Sequence, residues 1–282
     1  MRTLHKTSPL LSVAALMAVL CAPAQVRSAD LPGDNSVQPP PAYPLRKSAN
    51  GRHLVDSNGT PFLLAGDAPQ ALMVKLTEAD ADLYEEYNRS NFLPVIMIES
   101  DYEFEQRATA AVLRREEYWS ILAGATGQVY GSGPIWPFAD NWKSALNSTG
   151  AVQMAWVKAL FEPRPWFDLV PDQQHKLVVA GYGTFDGESH EGNHYVMTSD
   201  YVTAGRTPNG RLAIAYLPSL RPLKIDLSQL SGPVTARWYD PSRGTFSSIK
   251  GSPFPNSGKP YIIPPGNNAD GDGDWLLVLE AN

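Results

Sequence analysis

The chain has 282 residues, of which 43% are hydrophobic and 18% charged. That is enough for one large or two ordinary packed domains, and it excludes disorder as the default state. The net charge of −6 argues against nucleic acid or an anionic membrane surface as partner.

The first residues read as a leader. Arg2, His5 and Lys6 form a basic start, Leu10 to Ala22 is apolar but too short to span a bilayer, and Ala22-Pro23-Ala24 fits a small-x-small cleavage site. Residues 1–24 are expected to be a signal peptide of a bacterial protein that is secreted or periplasmic, with no membrane contact after cleavage. Cys21, the single cysteine, lies inside that segment. The mature chain therefore has neither a disulfide framework nor a thiol nucleophile. Leu20 stands where a lipoprotein signal wants a small residue, which argues against lipid anchoring. Residues 25–43 are Pro-rich towards their end and aperiodic, the composition of a linker.

Structure is expected from Pro44. Arg52 to Asp56, the Ser57-Asn58-Gly59 turn and Pro61 to Ala65 read as a β-hairpin. Its second strand runs into Gly66-Asp67, an acid at the end of an apolar run. Thr77-Glu-Ala-Asp80 resembles a capping box and predicts a helix to about Asn88, with Leu83, Tyr84 and Tyr87 inward. Leu93 to Ile98 is a continuous apolar run of the kind buried barrel strands show, and it stops at Glu99. A helix is predicted over about 108–123, with Val112, Trp119, Leu122 and Ala123 on one stripe and Gly124 closing it. Gln128-Val129-Tyr130 is the next strand, and Gly131 to Trp136 the loop after it. Strand, acid, helix and strand make a βαβ unit with chemistry at one rim. Ala151 to Phe161 predicts another helix, broken by Pro163 and Pro165.

From about Lys176 the texture changes to short strands: 176–180, 195–203, 211–217, 223–227, 234–239, 246–249, 261–263 and 275–279. Turn signals such as Pro208-Asn209-Gly210 and Asp240-Pro241 separate them, the spacing of an antiparallel sandwich. The fold class expected is α/β, then all-β.

Glu99 is the first candidate for chemistry. Cleaving a glycosidic bond takes two carboxyl groups, one as acid and the other as nucleophile or base. An acid delivered at the C-terminal end of a barrel strand can fill either role. The plain alternative is a surface acid where strand meets loop. Asp67 has the same placement, with a capping or turn acid as its alternative. Asp101, Glu103 and Glu105 read as solvated or paired with Arg107, Arg114 or Arg115. Trp136, in a Gly/Pro loop, can stack on a sugar face, and Tyr102 can hydrogen-bond a carboxylate. Trp142, Trp156 and Trp166 read as core. The His190-x3-His194 spacing suits a metal only on a helix, which Gly187 and Gly192 disfavour. Asn267 to Asp274 has calcium-loop composition but lacks the closing Glu, and reads as a turn. No metal site and no cofactor are expected.

The residues Pro44-Leu-Arg46, Gly51 to Asp56, Gly59 to Phe62 and Gly66-Asp67 resemble the start of the apiosidase-like glycoside hydrolases, a (β/α)8 barrel family. So do Arg114 to Gly127 (with Tyr118-Trp119-Ser120 and Ala123-Gly124-Ala125), Tyr130, Ile135-Trp136 and Arg164 to Gln173. Ala213 to Pro218, Ala236 to Pro241 and Gly273 to Leu279 resemble the β-domain attached after this barrel, a domain labelled collagen-binding. Nothing in the residues themselves points to collagen. The resemblance implies that Glu99 is the strand-end catalytic acid, that Asp67, Tyr102, Glu103 and Trp136 line a carbohydrate substrate, and that residues 44–175 form a TIM-type barrel domain with residues 176–282 as a β-sandwich. Two departures stand out. Gly66-Asp67 continues as Ala68-Pro69-Gln70 where the family has Thr-Ala-Trp. Tyr43 to Asp172 also gives only about 130 residues against about 250 for a whole barrel. The middle strands, and with them the second carboxylate, are therefore expected to be missing, with a join near Ser90 to Pro94. The resulting expectation is an exported glycoside hydrolase acting on polysaccharide side chains. The alternatives are a shortened, non-catalytic carbohydrate- or matrix-binding relative, and a truncated product with no independent activity.

Overall fold

The computed structural model describes residues 41–67, 99–104, 108–184 and 199–281. The expected signal peptide, the helix expected over 77–88, the apolar run at 93–98 and the His190/His194 stretch lie outside them. The described residues are rich in strand.

The chain begins with the hairpin read from the sequence, extended by one strand. Strands β1 (Arg46–Lys47), β2 (Leu54–Val55) and β3 (Pro61–Phe62) pair antiparallel in that order. Asp56 closes the turn by accepting the Asn58 and Thr60 amides, each at 2.9 Å. These bonds pull its carboxyl below the ordinary range.

Next come β4 (Leu64–Asp67), β5 (Glu99–Glu103), helix α1 (Ala110–Leu122) and β6 (Gly127–Ser132). β6 is central and parallel to both neighbours, so the sheet order is β4-β6-β5. β5, α1 and β6 form a βαβ unit, although the run expected as its first strand, 93–98, lies outside the described residues. Thr109 caps α1 by accepting the Val112 amide, and Gly124, at φ 103°, ends it as read. Two more helices come next, α2 (Trp142–Ala145) and α3 (Thr149–Phe161). Ser148 caps α3 through the Ala151 amide.

The rest is antiparallel. Strand β7 (Val170–Pro171) joins a sheet ahead of the boundary expected at 175. The remaining strands are β8 (Val178–Ala180), β9 (Thr203–Arg206), β10 (Leu212–Leu217), β11 (Leu223–Ile225), β12 (Val234–Asp240), β13 (Thr245–Ser248), β14 (Tyr261–Ile262) and β15 (Trp275–Ala281). They form a six-stranded sheet, β13-β12-β15-β10-β9-β7, and a three-stranded one, β14-β11-β8. The two share a core. Ala213, Ala215, Leu217, Val234, Ala236, Trp238, Leu277 and Leu279 pack against Leu177, Val178, Leu223, Ile225 and Ile262.

Period-2 alternation sends the other residues of the large sheet the opposite way. There Leu212, Ile214, Tyr216, Tyr239, Leu276 and Val278 are also buried, and what they meet is the helix layer. Tyr118 of α1 stacks on Tyr216 at 5.3 Å, and the Tyr239 hydroxyl donates to the Trp156 carbonyl of α3 at 2.7 Å. α1 packs on the parallel sheet as well, so no residue of it is exposed. The helix is thus covered on two sides, and a single inward stripe is too narrow a description of it. Ala123, assigned to that stripe from the sequence, is exposed.

The charged centre of α1 has its cause in this double cover. Arg114 is fully buried and binds Asp274 through Nε at 3.0 Å and Nη2 at 2.9 Å, Asp272 at 2.7 Å, and Gln153 of α3 at 2.6 Å. Burial works against its charge, but the hydrogen bonds and charge of Asp274, with Asp272, outweigh that and raise its pKa. The sequence suggests nearby acids as partners for Arg114; its partners come from the last turn of the chain instead. That turn is the loop of calcium-like composition. Its Asp272 and Asp274 bind Arg114, its Asp270 accepts from Gln153 at 2.7 Å, and Asn268 organises it by accepting the Asp270 and Asp272 amides.

Candidate functional site

All five residues singled out from the sequence lie on or just beyond the three parallel strands. Asp67 ends β4 in register with Tyr130. Glu99 is in register with Val129, Tyr102 with Gly131 and Glu103 with Ser132. Trp136 stands in the loop after β6. The place of Glu99 within its strand differs from the expectation. Glu99 opens the described strand, and Glu103 ends it. The strand runs on because β6 itself continues to Ser132, leaving ladder partners for Tyr102 and Glu103. The register also slips between Glu99 and Tyr102, where three residues of β5 span two of β6. A bulge of this kind bends the strand and re-aims the side chains beyond it.

The best-defined part of the site is the end of β5. Glu103 is 5% exposed. Its Oε2 accepts the Tyr130 and Ser148 hydroxyls, and its Oε1 accepts the Gly150 amide at 2.9 Å. The carboxylate thus sits on the N-terminal turn of α3, where free amides and the helix dipole favour negative charge. Burial, and then the Glu103 charge, push the Tyr130 hydroxyl well above its ordinary range, so it serves as a donor at any physiological pH. A Cβ on Gly150 would lie 2.6 Å from the Glu103 carboxyl carbon, so glycine is required there. Glu103, expected at the substrate, is engaged within the protein on both oxygens.

Two aromatic residues flank this anchor. The loop after β6 folds back on itself. The Gly133 amide donates to the Glu103 carbonyl at 2.8 Å, and the Ile135 and Trp136 amides to the Ser132 carbonyl at 3.0 and 3.1 Å. Ile135 and Phe138 turn into a small cluster with Trp142, Ala145 and Leu146, while Trp136 is left 38% exposed. Trp142, Trp156 and Trp166 are buried as expected. At the end of β5, Phe104 is 61% exposed.

Tyr130, Ser148 and Gly150 were not found by sequence reasoning. Asn147-Ser148-Thr149 before the 151–161 helix was a readable cap signal, but nothing in it announces that the cap also holds a carboxylate 45 residues earlier in the chain. Among the described residues no three His, Cys, Asp or Glu side chains gather as a metal would need.

Comparison with known proteins agrees with the sequence resemblance. Residues 85–168 match the family described as "Apiosidase-like, catalytic domain". Residues 190–280 match the "Putative collagen-binding domain of a collagenase". No curated protein matches the chain. Among solved structures, one described as a glycoside hydrolase superposes with a TM-score of 0.50 and 25% identity, over 73% of this chain and 48% of that one. A glycoside hydrolase family 5 protein from Bacteroides vulgatus ATCC 8482 does so with a TM-score of 0.52 and 26% identity, over 71% and 44%. The chain therefore spans about half the length of these structures.

Proposed function

We propose, from the apiosidase-like family that residues 85–168 match, that the protein is an exported glycoside-hydrolase relative. Its ligand is a polysaccharide side chain, met at the C-terminal end of the β4-β6-β5 sheet. The observation that carries this is the strand order. Among the described residues the first parallel strand, β4, pairs with the last, β6, and β5 flanks the other side. A closed barrel juxtaposes its first and final strands in this way. In this reading the sheet is the seam of an incomplete (β/α)8 barrel, followed by a β-sandwich.

In this reading Glu99 is the catalytic carboxylate. Asp67, Tyr102 and Trp136 contact the sugar, and Glu103 holds the strand end that carries Tyr102. The test is release of reducing sugar from pectic or arabinogalactan-type substrates. Wild type is expected to release it, and Glu99→Gln to lower the rate by about 10²–10⁴-fold. A rate untouched by the substitution would remove Glu99 from the mechanism.

A second reading is favoured by the coverage of the solved structures, 48% and 44% of their lengths. A chain that lacks the strand bearing the second carboxylate binds the saccharide without cleaving it. Oligosaccharide binding with no product release, in wild type and Glu99→Gln alike, selects that reading.

A further inference from the structure

The residue after the anchored carboxylate has a conformation that calls for a cause. Phe104 has φ 74°, in the left-handed region that a bulky side chain avoids, where its Cβ crowds the backbone. The residue is 61% exposed, so burial does not compensate for the strain. What holds it is its neighbour. Glu103 is fastened by Tyr130, Ser148 and the Gly150 amide, and its carbonyl by the Gly133 amide at 2.8 Å. The chain cannot relax upstream. A strained residue locked in by its surroundings marks a site where conformation serves binding or catalysis.

The same hydrogen bond from Gly133 ties the end of β5 to the loop that displays Trp136. That loop buries Ile135 and Phe138 and leaves the indole out. Phe246, another exposed aromatic, is different: the Arg237 guanidinium covers it at 4.2 Å. Among the described residues no ring or cation covers Phe104.

We infer that Phe104 is a sugar-stacking platform at the rim of the parallel sheet. It is held open by the Glu103 anchor and works beside Trp136 on the apolar face of a pyranose or furanose ring. The inference rests on the carbohydrate reading above and adds the residue that selects for a ring with a flat C–H face. Glu103 is the positioning residue of this pair, because its bonds set the backbone from which Phe104 projects.

The test uses the full chain, with pectic and arabinogalactan-derived oligosaccharides as probes, affinity from calorimetry, and thermal unfolding beside it. Phe104→Ala is expected to weaken binding roughly tenfold, the loss of about 1.4 kcal/mol, and Phe104→Tyr to restore it to within about threefold. Phe104→Gly separates binding from folding. Glycine accepts φ 74° without strain, so this variant should unfold about 2–4 °C higher while binding as weakly as Phe104→Ala. Affinity unchanged in the Ala and Gly variants overturns the inference and leaves the carbohydrate reading standing. A Gly variant that loses stability also overturns it, because Phe104 would then be a packing residue. Absence of binding by wild type to both probes removes the inference and the carbohydrate reading together.

Discussion

Two charged side chains of α1 lie in the interior and have opposite fates. Arg114 is matched by Asp274, Asp272 and Gln153. Replacing it with Ala strands the buried Asp274 carboxylate, which the Tyr216 hydroxyl at 3.1 Å cannot neutralise. The expected cost is about 3–5 kcal/mol, readable as a drop in urea midpoint. Glu117 is 1% exposed, and among the described residues its Oε1 has no hydrogen-bond partner. Burial first, and then the charge of Glu116, raise its pKa well above the ordinary value. The folded protein therefore keeps the Glu117 proton at pH values where the unfolded chain has released it. Its contribution to stability is greatest below the unfolded value of about 4.3 and is lost as pH rises above it. Glu117→Gln keeps the shape without the proton linkage. The variant should gain on wild type in chemical denaturation as pH rises above the unfolded value, and a difference that does not change with pH would refute this account of Glu117.

At the scale of elements, the N-terminus of α3 decides where β5 ends. Alanine for glycine near a helix start ordinarily stabilises by up to about 1 kcal/mol. At Gly150 the added methyl would meet the Glu103 carboxyl at 2.6 Å and the Leu113 side chain at 2.8 Å. Steric conflict should win, and Gly150→Ala is expected to lose about 1–3 kcal/mol by the same denaturation assay. This junction also marks the limit of what the sequence discloses. Helices α1 and α3 and most antiparallel strands were readable, because each obeys a local period and is bounded by Gly, Pro or a cap. Of the βαβ unit, Gly124 and the strand at Gln128-Val129-Tyr130 were readable; the apolar run expected as its first strand, 93–98, lies outside the described residues, and β5 starts where that run was expected to stop. The partners of Glu103 and Arg114 were not. Both bind residues far along the chain, Ser148 for the one and Asp272 and Asp274 for the other, and no local pattern encodes a long-range pair. The two-sided burial of α1 was hidden for a related reason. Arg114 was expected to pair with acids close by in the chain, and it is the last loop of the chain, through Asp272 and Asp274, that holds it in the interior.

At the scale of the molecule, the helix layer belongs to both sheets. Ile214, Tyr216, Tyr239, Leu276 and Val278 are buried on the face of the six-stranded sheet that meets α1 and α3. Arg115 reaches the Pro218 carbonyl at 2.9 Å, Trp119 the Tyr201 carbonyl at 3.0 Å, and Arg164 pairs with Glu280 at 3.0 Å. Residues 176–282 produced alone would uncover that apolar face, and they should self-associate or bind a hydrophobic dye where the full chain does not. For the same reason heat should unfold the full chain in one transition. Two separated transitions would mean that the layers are independent.

The absence of any exposed residue in α1 sets an internal clock. Its amides reach deuterium only when the strands on both sides let go together, so they should exchange at the rate of global opening, as late as those of β12 and β15. The hairpin at Asp56 will have exchanged long before. Labelling that reached the middle of the helix early would show that one of its two covers lifts by itself.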